Sequence, residues 1–375
     1  MAAKRISPSK RAKAKKSVSA RRPAKTPAKA VAPAAGPVTL DEAKALAMAK
    51  NPKRAVRAVR KSAAPPASPI AVGIARQELN KERREERKRR IDEYKATMDI
   101  MKRRGARRPR PKRAAKAALT DSTAKGESFV PLQIFAEGDS WFDYPVPFFG
   151  GGIIPRLERR LGVPILNLAK AGDEVRFMLG VEERTVLAEQ FGEGSPAGGP
   201  WDVLLFSGGG NDIVDNPMAL WVKDFDAAIP PANHINQPRF SAALALVRAG
   251  YEDLIALRDQ LSPSTHLVFQ GYDFAIPDGR GVCFLGPWLK PTFDLRKFPT
   301  RDAAAQVVKA MLQQLAAMLA SLAVHPKVTF INGQGTLAPQ PSSWANELHP
   351  ARAGFEKFAD IFQTELEKLF PGRVV

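Results

Sequence analysis

From residue 128 onward, short apolar runs alternate with longer segments of helical character. Three of the runs are almost uninterrupted in apolar or β-branched residues, as expected of strands that are buried on both faces. Such alternation predicts a parallel, doubly wound α/β sheet. The predicted strands are residues 132–136, 164–168, 203–207, 266–270 and 328–331, and the predicted helices are residues 153–161, 181–191, 240–260, 301–323 and 351–370.

A parallel sheet of this kind places its functional site beyond the carboxyl ends of its strands. The tripeptide Gly138-Asp139-Ser140 follows the first predicted strand. A serine hydroxyl is a weak nucleophile unless a neighbouring base accepts its proton. His349 is the candidate base, because Pro350 suits the first position of the last helix and leaves His349 on the loop before it. Ser140 and His349 therefore form a candidate nucleophile–base pair.

Attack of a serine on an acyl carbon also needs N–H donors directed at the developing oxyanion. Gly172 follows the second strand, and its lack of a side chain lets its N–H approach a ligand closely. Asn211 follows the third strand after three glycines, and its side-chain amide can donate to the same oxygen. A phosphate-binding glycine loop is the alternative, but neither a P-loop pattern nor a dinucleotide-binding pattern is present.

These residues carry a resemblance. Gly138-Asp139-Ser140, Gly172, Gly210-Asn211-Asp212 and His349 resemble the four sequence blocks of the SGNH/GDSL hydrolase family, over residues 130–370. The resemblance implies a flavodoxin-like three-layer α/β/α sandwich with five parallel strands. It also implies a serine esterase or lipase that forms an acyl-enzyme. In that family the matching residues act as nucleophile (Ser140), base (His349) and oxyanion hole (the Ser140 and Gly172 N–H groups with the Asn211 amide).

One position departs from the family pattern. The last block usually reads Asp-x-x-His, and Asn346 stands where that aspartate is expected. Asn346 can accept a hydrogen bond from the imidazole but cannot stabilise an imidazolium by charge. Glu347 or a backbone carbonyl are the alternative partners of His349. A working Ser–His pair is favoured over a catalytically retired scaffold, because the remaining parts are all present.

The segment of residues 271–299 is long, irregular and rich in glycine, proline and aromatic residues. Such segments are often functional. One interpretation is a wall or lid of a substrate pocket, and the other is a packed structural loop. The candidate wall residues are Trp141, Phe142, Tyr272 and Trp288.

Metal binding is not expected. Asp143, Asp173 and Asp212 are interpreted as structural hydrogen-bond acceptors, because no metal-ligand spacing is present. The predicted chemistry needs no cofactor.

The positive charge of the chain is concentrated near its N-terminus. Residues 1–125 hold 37 Lys and Arg against 10 Asp and Glu, a net charge of +27, whereas the rest of the chain carries −7. We expect a disordered tail over residues 1–75, a basic helix and linker over 76–127, and the hydrolase-like domain over 128–375. The basic arm resembles histone-like tails, which implies binding of nucleic acid or another polyanion by counterion release. A solubilising tail is the alternative.

Two stretches of this arm have helical character. Asp41 and Glu42 begin a weakly helical stretch over residues 40–59, and a stronger helix is predicted over 76–104. On the second helix, apolar residues at spacings of 3, 4 and 3 share one face. Weak docking of that helix on the domain is favoured over dimerisation. The shared face consists of Ile91, Tyr94, Met98 and Met101.

The cellular compartment follows only indirectly from the sequence. Cys283 is the single cysteine, is interpreted as a packing residue, and excludes an intramolecular disulfide. No apolar signal region follows the N-terminus, and no uncharged apolar stretch has the length of a membrane span. A cytoplasmic protein is expected, associated with the nucleoid if the arm binds DNA.

Overall fold

A five-stranded parallel sheet forms the centre of the computed structural model, which describes residues 36–49, 69–107, 128–144, 151–282 and 286–374. The strands of the chain are β1 (Ala106–Arg107), β2 (Ser128–Phe129), β3 (Ile134–Gly138), β4 (Ile165–Asn167), β5 (Val203–Ser207), β6 (His266–Gln270) and β7 (Val328–Ile331). In the main sheet the strand order is β4-β3-β5-β6-β7, as in flavodoxin-like folds. A separate antiparallel ribbon pairs β1 with β2.

The predicted sheet is confirmed. The bounds of β5, β6 and β7 agree with the prediction to the residue, whereas β3 begins and ends two residues later than predicted. Every residue of β3 and β5 is buried, as expected for central strands covered on both faces. Strand β4 lies on one side of β3, and β5 and the later strands lie on the other side. The carboxyl ends of β3 and β5 therefore border the crevice where such folds bind ligands.

Helices cover both faces of the sheet. The helix that follows β3 packs against the last helix of the chain, and the helices that follow β4, β5 and β6 pack with one another. The helices of this domain are α3 (Ile153–Leu161), α4 (Val175–Met178), α5 (Val181–Glu193), α6 (Gln237–Leu261), α7 (Lys290–Leu295), α8 (Arg301–Leu322) and α9 (Arg352–Leu369).

Two helices precede this domain, α1 (Leu40–Ala49) and α2 (Pro69–Arg104). They pack against each other, and α2 also contacts the edge strand β4. Tyr94 of α2 is buried, with its ring centroid 5.3 Å from that of Trp201. The docking interpretation of this helix therefore holds, but the contact is a buried part of the core and not a weak one.

Helix α1 lies in the weakly helical stretch that was predicted to begin at residue 40. Helix α2 begins at Pro69, within the segment that was predicted to be disordered. Val38, Leu40 and Ala43 are buried and belong to the same apolar core as α2, which explains the order of α1. Residues 1–35 and 50–68 lie outside the described part of the chain.

Helix α8 has the length and apolar composition of a membrane span, and it is the one such helix among the described residues. Ten of its residues are buried in the core, including Val307, Met311, Leu315 and Leu319. Burial of this kind is also what the central helix of a water-soluble α/β domain shows. The helix packs on α6 and β7.

Candidate active site

The turn after β3 places Ser140 at the carboxyl end of the sheet. A Cβ atom on Gly138 would lie 2.7 Å from the backbone oxygen of Ser207 on the neighbouring strand, so only glycine fits there. The Asp139 carbonyl then accepts the N–H groups of Phe142 and Asp143, each at 3.1 Å, which closes the turn. The strand end thus holds Ser140 in a defined position.

Ser140 and His349, more than 200 residues apart in sequence, are in direct contact. The Ser140 Oγ lies 2.6 Å from the His349 Nε2, and the His349 Nδ1 lies 2.9 Å from the Asn346 Oδ1. An amide oxygen only accepts, so Nδ1 carries the imidazole proton. The unprotonated Nε2 is therefore free to accept the hydroxyl proton of Ser140.

Hydrogen bonds to both its oxygen and its nitrogen fix the orientation of the Asn346 amide. Its Oδ1 also accepts the backbone N–H groups of Leu348 and His349, each at 3.0 Å. Its Nδ2 donates to the Tyr144 hydroxyl at 2.9 Å. A flipped amide would bring its NH₂ group against two N–H donors, which excludes the flip. Asn346 is fully buried, so this arrangement is protected from water.

The surroundings of His349 favour the neutral imidazole. Burial lowers the pKa of His349 to about 3. The Tyr144 ring stacks on the imidazole with centroids 4.3 Å apart, and the Trp288 ring meets it edge-on at 5.9 Å. A neutral imidazole at ordinary pH is the form that can act as a base.

The two backbone N–H groups of the predicted oxyanion hole belong to Ser140 and Gly172. Among the described residues, neither the Ser140 N–H nor the Gly172 N–H donates to a protein acceptor. Gly172 has φ = +86°, a conformation that favours glycine. The Asn211 Nδ2 donates to the Asp173 carbonyl at 2.9 Å, which fixes its amide beside the same loop. The arrangement is compatible with the predicted oxyanion hole.

The segment that contains Ser140, Asn346 and His349 matches a known protein family. The sequence matches the GDSL-like Lipase/Acylhydrolase family over residues 136–357, more than half of the chain. The chain belongs to this family. A search of the curated proteins found no match.

Solved structures similar to this GDSL-like protein include three bacterial or metagenomic proteins. The lipase Lip_vut3 from a goat rumen metagenome is 18% identical, with 64% of this chain and 99% of that chain covered and a TM-score of 0.42. An extracellular lipase from Streptomyces rimosus is 15% identical, with 62% and 99% covered and a TM-score of 0.40. A member of the lipolytic G-D-S-L family from Veillonella parvula is 17% identical, with 61% and 95% covered and a TM-score of 0.37.

Glu347 does not take the place of the aspartate that GDSL-like enzymes usually carry. Its buried carboxylate accepts four backbone N–H groups, at distances of 2.6–3.0 Å. No oxygen of Glu347 is bonded to His349, so this alternative is excluded in favour of Asn346. The four donors are Gly279, Trp288, Leu289 and Lys290.

The glycines before Asn211 serve close packing. A Cβ atom on Gly208 would lie 2.8 Å from the Val175 Cγ2, and one on Gly210 would lie 2.9 Å from the Tyr272 ring. These contacts explain the run without a phosphate ligand. The phosphate-loop alternative therefore has no support in the geometry.

Asp139 of the family motif anchors the loop after β6. Its carboxylate accepts the Trp141 N–H at 2.9 Å, the Ser207 hydroxyl at 3.1 Å and the Tyr272 hydroxyl at 2.5 Å. Burial raises the pKa of Asp139 to about 6. Asp139 thus links the turn that carries Ser140 to both neighbouring segments of the sheet edge.

A cleft lies beside Ser140 and His349, with about 430 Å³ of empty space that includes open solvent. Trp141 and Tyr272, two of the candidate wall residues, line it. Most of its remaining walls are apolar. These are Val214, Ala275, Val308, Leu312 and Leu348.

Two of the four candidate wall residues, Phe142 and Trp288, do not line the cleft. Phe142 was wrongly assigned to the wall, because it is fully buried and packs edge-on against Phe362 of α9 at 5.8 Å. Trp288 is half-buried beside His349 and does not line the cleft itself. Cys283 lies outside the described residues.

Tyr144 was not predicted as a site residue. It follows the nucleophile turn, where no spacing or motif marks it, yet it contacts both Asn346 and His349. The acceptor role of Glu347 was also missed. Its one detectable signal was a charged residue between Asn346 and Leu348 in a segment that is otherwise buried.

Proposed function

We propose that this protein is a serine esterase that hydrolyses carboxylic esters through an acyl-enzyme. The observation that carries the proposal is the 2.6 Å contact between the Ser140 Oγ and the His349 Nε2. A base within hydrogen-bond reach is the first geometric requirement for activating a serine.

In the proposed acylation step, the Ser140 Oγ attacks the ester carbonyl carbon while its proton passes to the His349 Nε2. The carbonyl oxygen becomes an oxyanion, which accepts from the Ser140 and Gly172 N–H groups and the Asn211 amide. The tetrahedral intermediate then collapses, the ester C–O bond breaks, and His349 returns the proton to the leaving alcohol. The acyl group remains on Ser140.

Deacylation repeats these reaction steps with water as the nucleophile. His349 accepts a proton from the water as its oxygen attacks the acyl carbon, and the proton then passes to Ser140 as the carboxylic acid leaves. Asn346 keeps the Nδ1 proton in place during both steps, because its Oδ1, 2.9 Å from Nδ1, accepts the hydrogen bond of the Nδ1–H group. The pair therefore works without a carboxylate.

The cleft favours esters of short, apolar acids. Its lining is mainly apolar and includes Val308 and Leu312, one turn apart on α8. Apolar walls stabilise an alkyl chain in proportion to the area they bury. Acetyl to hexanoyl esters are the proposed substrates.

The test is turnover of a p-nitrophenyl ester series by the wild type, Ser140→Ala and the surface variant Ser321→Ala. Ser140→Ala is expected to lower kcat by about 10³-fold or more, as loss of a nucleophile does in serine hydrolases. Ser321→Ala should match the wild type. Fluorophosphonate labelling, located by mass spectrometry, should modify Ser140. Equal inactivity of wild type and Ser140→Ala at every chain length, without labelling, would overturn the proposal.

The basic arm supports a second function, binding of nucleic acid or another polyanion. Its support is the +27 net charge of residues 1–125. Binding by counterion release would weaken steeply as salt rises. Duplex DNA is the probe, with the full chain and a chain lacking residues 1–35 compared between low and physiological salt. Salt-independent binding would refute this function, and DNA binding without esterase activity would favour a retired hydrolase scaffold.

A further inference from the structure

Three arginines of α2 lie on one face of the helix. Arg83, Arg87 and Arg90 are spaced by 4 and 3 residues, which places them on the side that faces the domain. Each keeps less than 30% of its side chain exposed. Arg84 and Lys88, on the same turns, are exposed. We call Arg83, Arg87 and Arg90 the arginine face.

Arg90 joins the nucleophile turn to the loop after β4. Its Nη1 donates to the carbonyls of Asn167 and Ala169 at 2.9 and 3.1 Å. Its Nη2 donates to the Asp143 carboxylate at 3.0 Å, three residues after Ser140. One guanidinium thus holds both segments that border the catalytic serine, in the planar fork geometry that suits arginine.

Arg83 binds the loop that carries Gly172, one of the three candidate oxyanion donors. Its Nη2 donates to the Asp173 carboxylate at 3.3 Å. Asp173 directly follows Gly172, and its carbonyl accepts the Asn211 Nδ2 at 2.9 Å. Arg87 pairs with Glu183 on the neighbouring helix α5. The arginine face therefore contacts the residue that connects two of the three proposed donors.

We propose that the arginine face of α2 positions two segments of the active site, the loop of Gly172 and Asp173 and the turn from Ser140 to Asp143. Arg83 and Arg90 are then positioning residues of the active site. The inference rests on the proposed esterase function. Helix α2 precedes the 136–357 match to the family, so the helix lies outside the segment that defines these hydrolases. In this chain an added helix completes the support of the site.

The expected effect follows from how strongly catalysis depends on position. Removing an oxyanion donor lowers kcat by about 10²–10³-fold, and a displacement of about 1 Å can cost 10²-fold. Loss of Arg83 removes none of the three donors, but it frees the loop that carries Gly172 and the Asp173 carbonyl to which Asn211 donates. A fall in kcat of about tenfold is expected, with KM changed by less than about twofold, because substrate binding uses the apolar cleft.

The experiment compares Arg83→Ala and Arg83→Lys with the matched control Arg84→Ala, in the full chain, on a short p-nitrophenyl ester. The second readout is inhibition by an alkyl boronic acid, which forms a tetrahedral adduct on the serine and places an oxygen in the oxyanion hole. Arg83→Ala should weaken the boronic acid Ki by the same factor as kcat/KM. Arg83→Lys should recover most of the loss, and Arg84→Ala should equal the wild type.

A purely structural role for Arg83 gives a different result. Partial unfolding lowers the concentration of active enzyme and therefore kcat, but it leaves Ki and KM unchanged. An unchanged Ki in Arg83→Ala, or equal kinetics in Arg83→Ala and Arg84→Ala, overturns the inference while the wild type remains an esterase. If the wild type itself has no activity that depends on Ser140, the proposed function fails first.

Discussion

At the residue scale, Asn346 gives His349 a neutral acceptor where other serine hydrolases have a charge. Replacing the aspartate of a Ser–His–Asp triad by asparagine costs about 10⁴ in kcat, because the amide stabilises the wrong imidazole tautomer. Here the backbone N–H groups of Leu348 and His349 fix the amide with its oxygen toward Nδ1. The tautomer is therefore correct, and only the charge is missing.

The variant Asn346→Asp should restore that charge without disturbing the geometry. The Tyr144 hydroxyl, which now accepts from Asn346, can rotate and donate to a carboxylate. A carboxylate at this distance raises the pKa of a histidine by about 1–3 units. Because burial alone holds the pKa of His349 at about 3, the acidic limb of kcat/KM should move upward by that amount in Asn346→Asp. The measurement is a pH–rate profile on one ester.

The exposed Asn332→Asp is the control, and its profile should coincide with that of the wild type. An acidic limb that stays in place in Asn346→Asp would mean that His349 is not the group that titrates.

Side-chain direction limits what the sequence predicts at this scale. Ser140, His349 and Asn346 were predicted together, and the structure places them within hydrogen-bond distance. Phe142 was wrongly assigned, because it lies in a turn where no periodicity tells which way a side chain points. Tyr144 was missed for the same reason.

At the element scale, the loop between β6 and α7 is organised around one buried carboxylate. Both oxygens of Glu347 are occupied by backbone N–H groups of Gly279, Trp288, Leu289 and Lys290. An acceptor-only side chain is required, because every partner is a donor. This explains how an irregular segment holds Trp288 beside His349.

Glu347→Gln should therefore destabilise the protein despite its similar size. The amide NH₂ would face two backbone donors, and each buried group left without a partner costs about 1–3 kcal/mol. A loss of about 2–5 kcal/mol in the free energy of unfolding is expected from urea denaturation. Limited proteolysis should show new cleavage within residues 276–290. The exposed Glu182→Gln is the control, and equal stability of the two variants would contradict this role of Glu347.

Strands and helices with a clear hydrophobic pattern in their own residues were predicted well. Elements whose conformation depends on packing against other parts of the domain were not. β5, β6 and β7 agree to the residue because each is a short apolar run between polar turns. Helices α4 and α7 were missed. They have four and six residues, too few to show a helical period, and their conformation depends on packing against the domain.

At the scale of the whole molecule, stability should depend on pH through a buried acid in the central strand. Glu137 on β3 lies fully inside the fold, and burial raises its pKa to about 8. The folded state thus binds a proton that the unfolded chain releases near pH 4.5. The stabilising contribution is complete below pH 4.5 and is lost as the pH rises through 8, at about 1.4 kcal/mol per pH unit.

Glu137→Gln removes this titration and keeps an acceptor for the Gly138 N–H, which Glu137 now accepts at 2.8 Å. The variant should gain stability relative to the wild type as the pH rises from 5 to 8.5, by a few kcal/mol in total. Thermal melts across that range give the comparison. Because His349, Asp139 and Asp212 titrate alike in both proteins, their effects cancel, and parallel curves would show that Glu137 is ionised in the fold.

The N-terminal helices set the boundary of the stable unit. Tyr94, Met98 and Met101 of α2 are buried in the same apolar core as Leu132 and Trp201. Removing α2 takes Tyr94, Met98 and Met101 out of the core and exposes the residues they cover to water. Each buried apolar side chain contributes about 1.5–3 kcal/mol to the free energy of unfolding. That total is comparable with the 5–15 kcal/mol by which domains are usually stable, so a chain of residues 128–375 should not unfold cooperatively.

A chain of residues 36–375 is the matched comparison, since it keeps α1, α2 and their contacts with the sheet. It should retain the melting temperature of the full protein, measured by circular dichroism, whereas the 128–375 chain should expose apolar surface and bind a hydrophobic dye. Equal melting temperatures for the two truncated chains would place the boundary at residue 128, where the sequence predicted it.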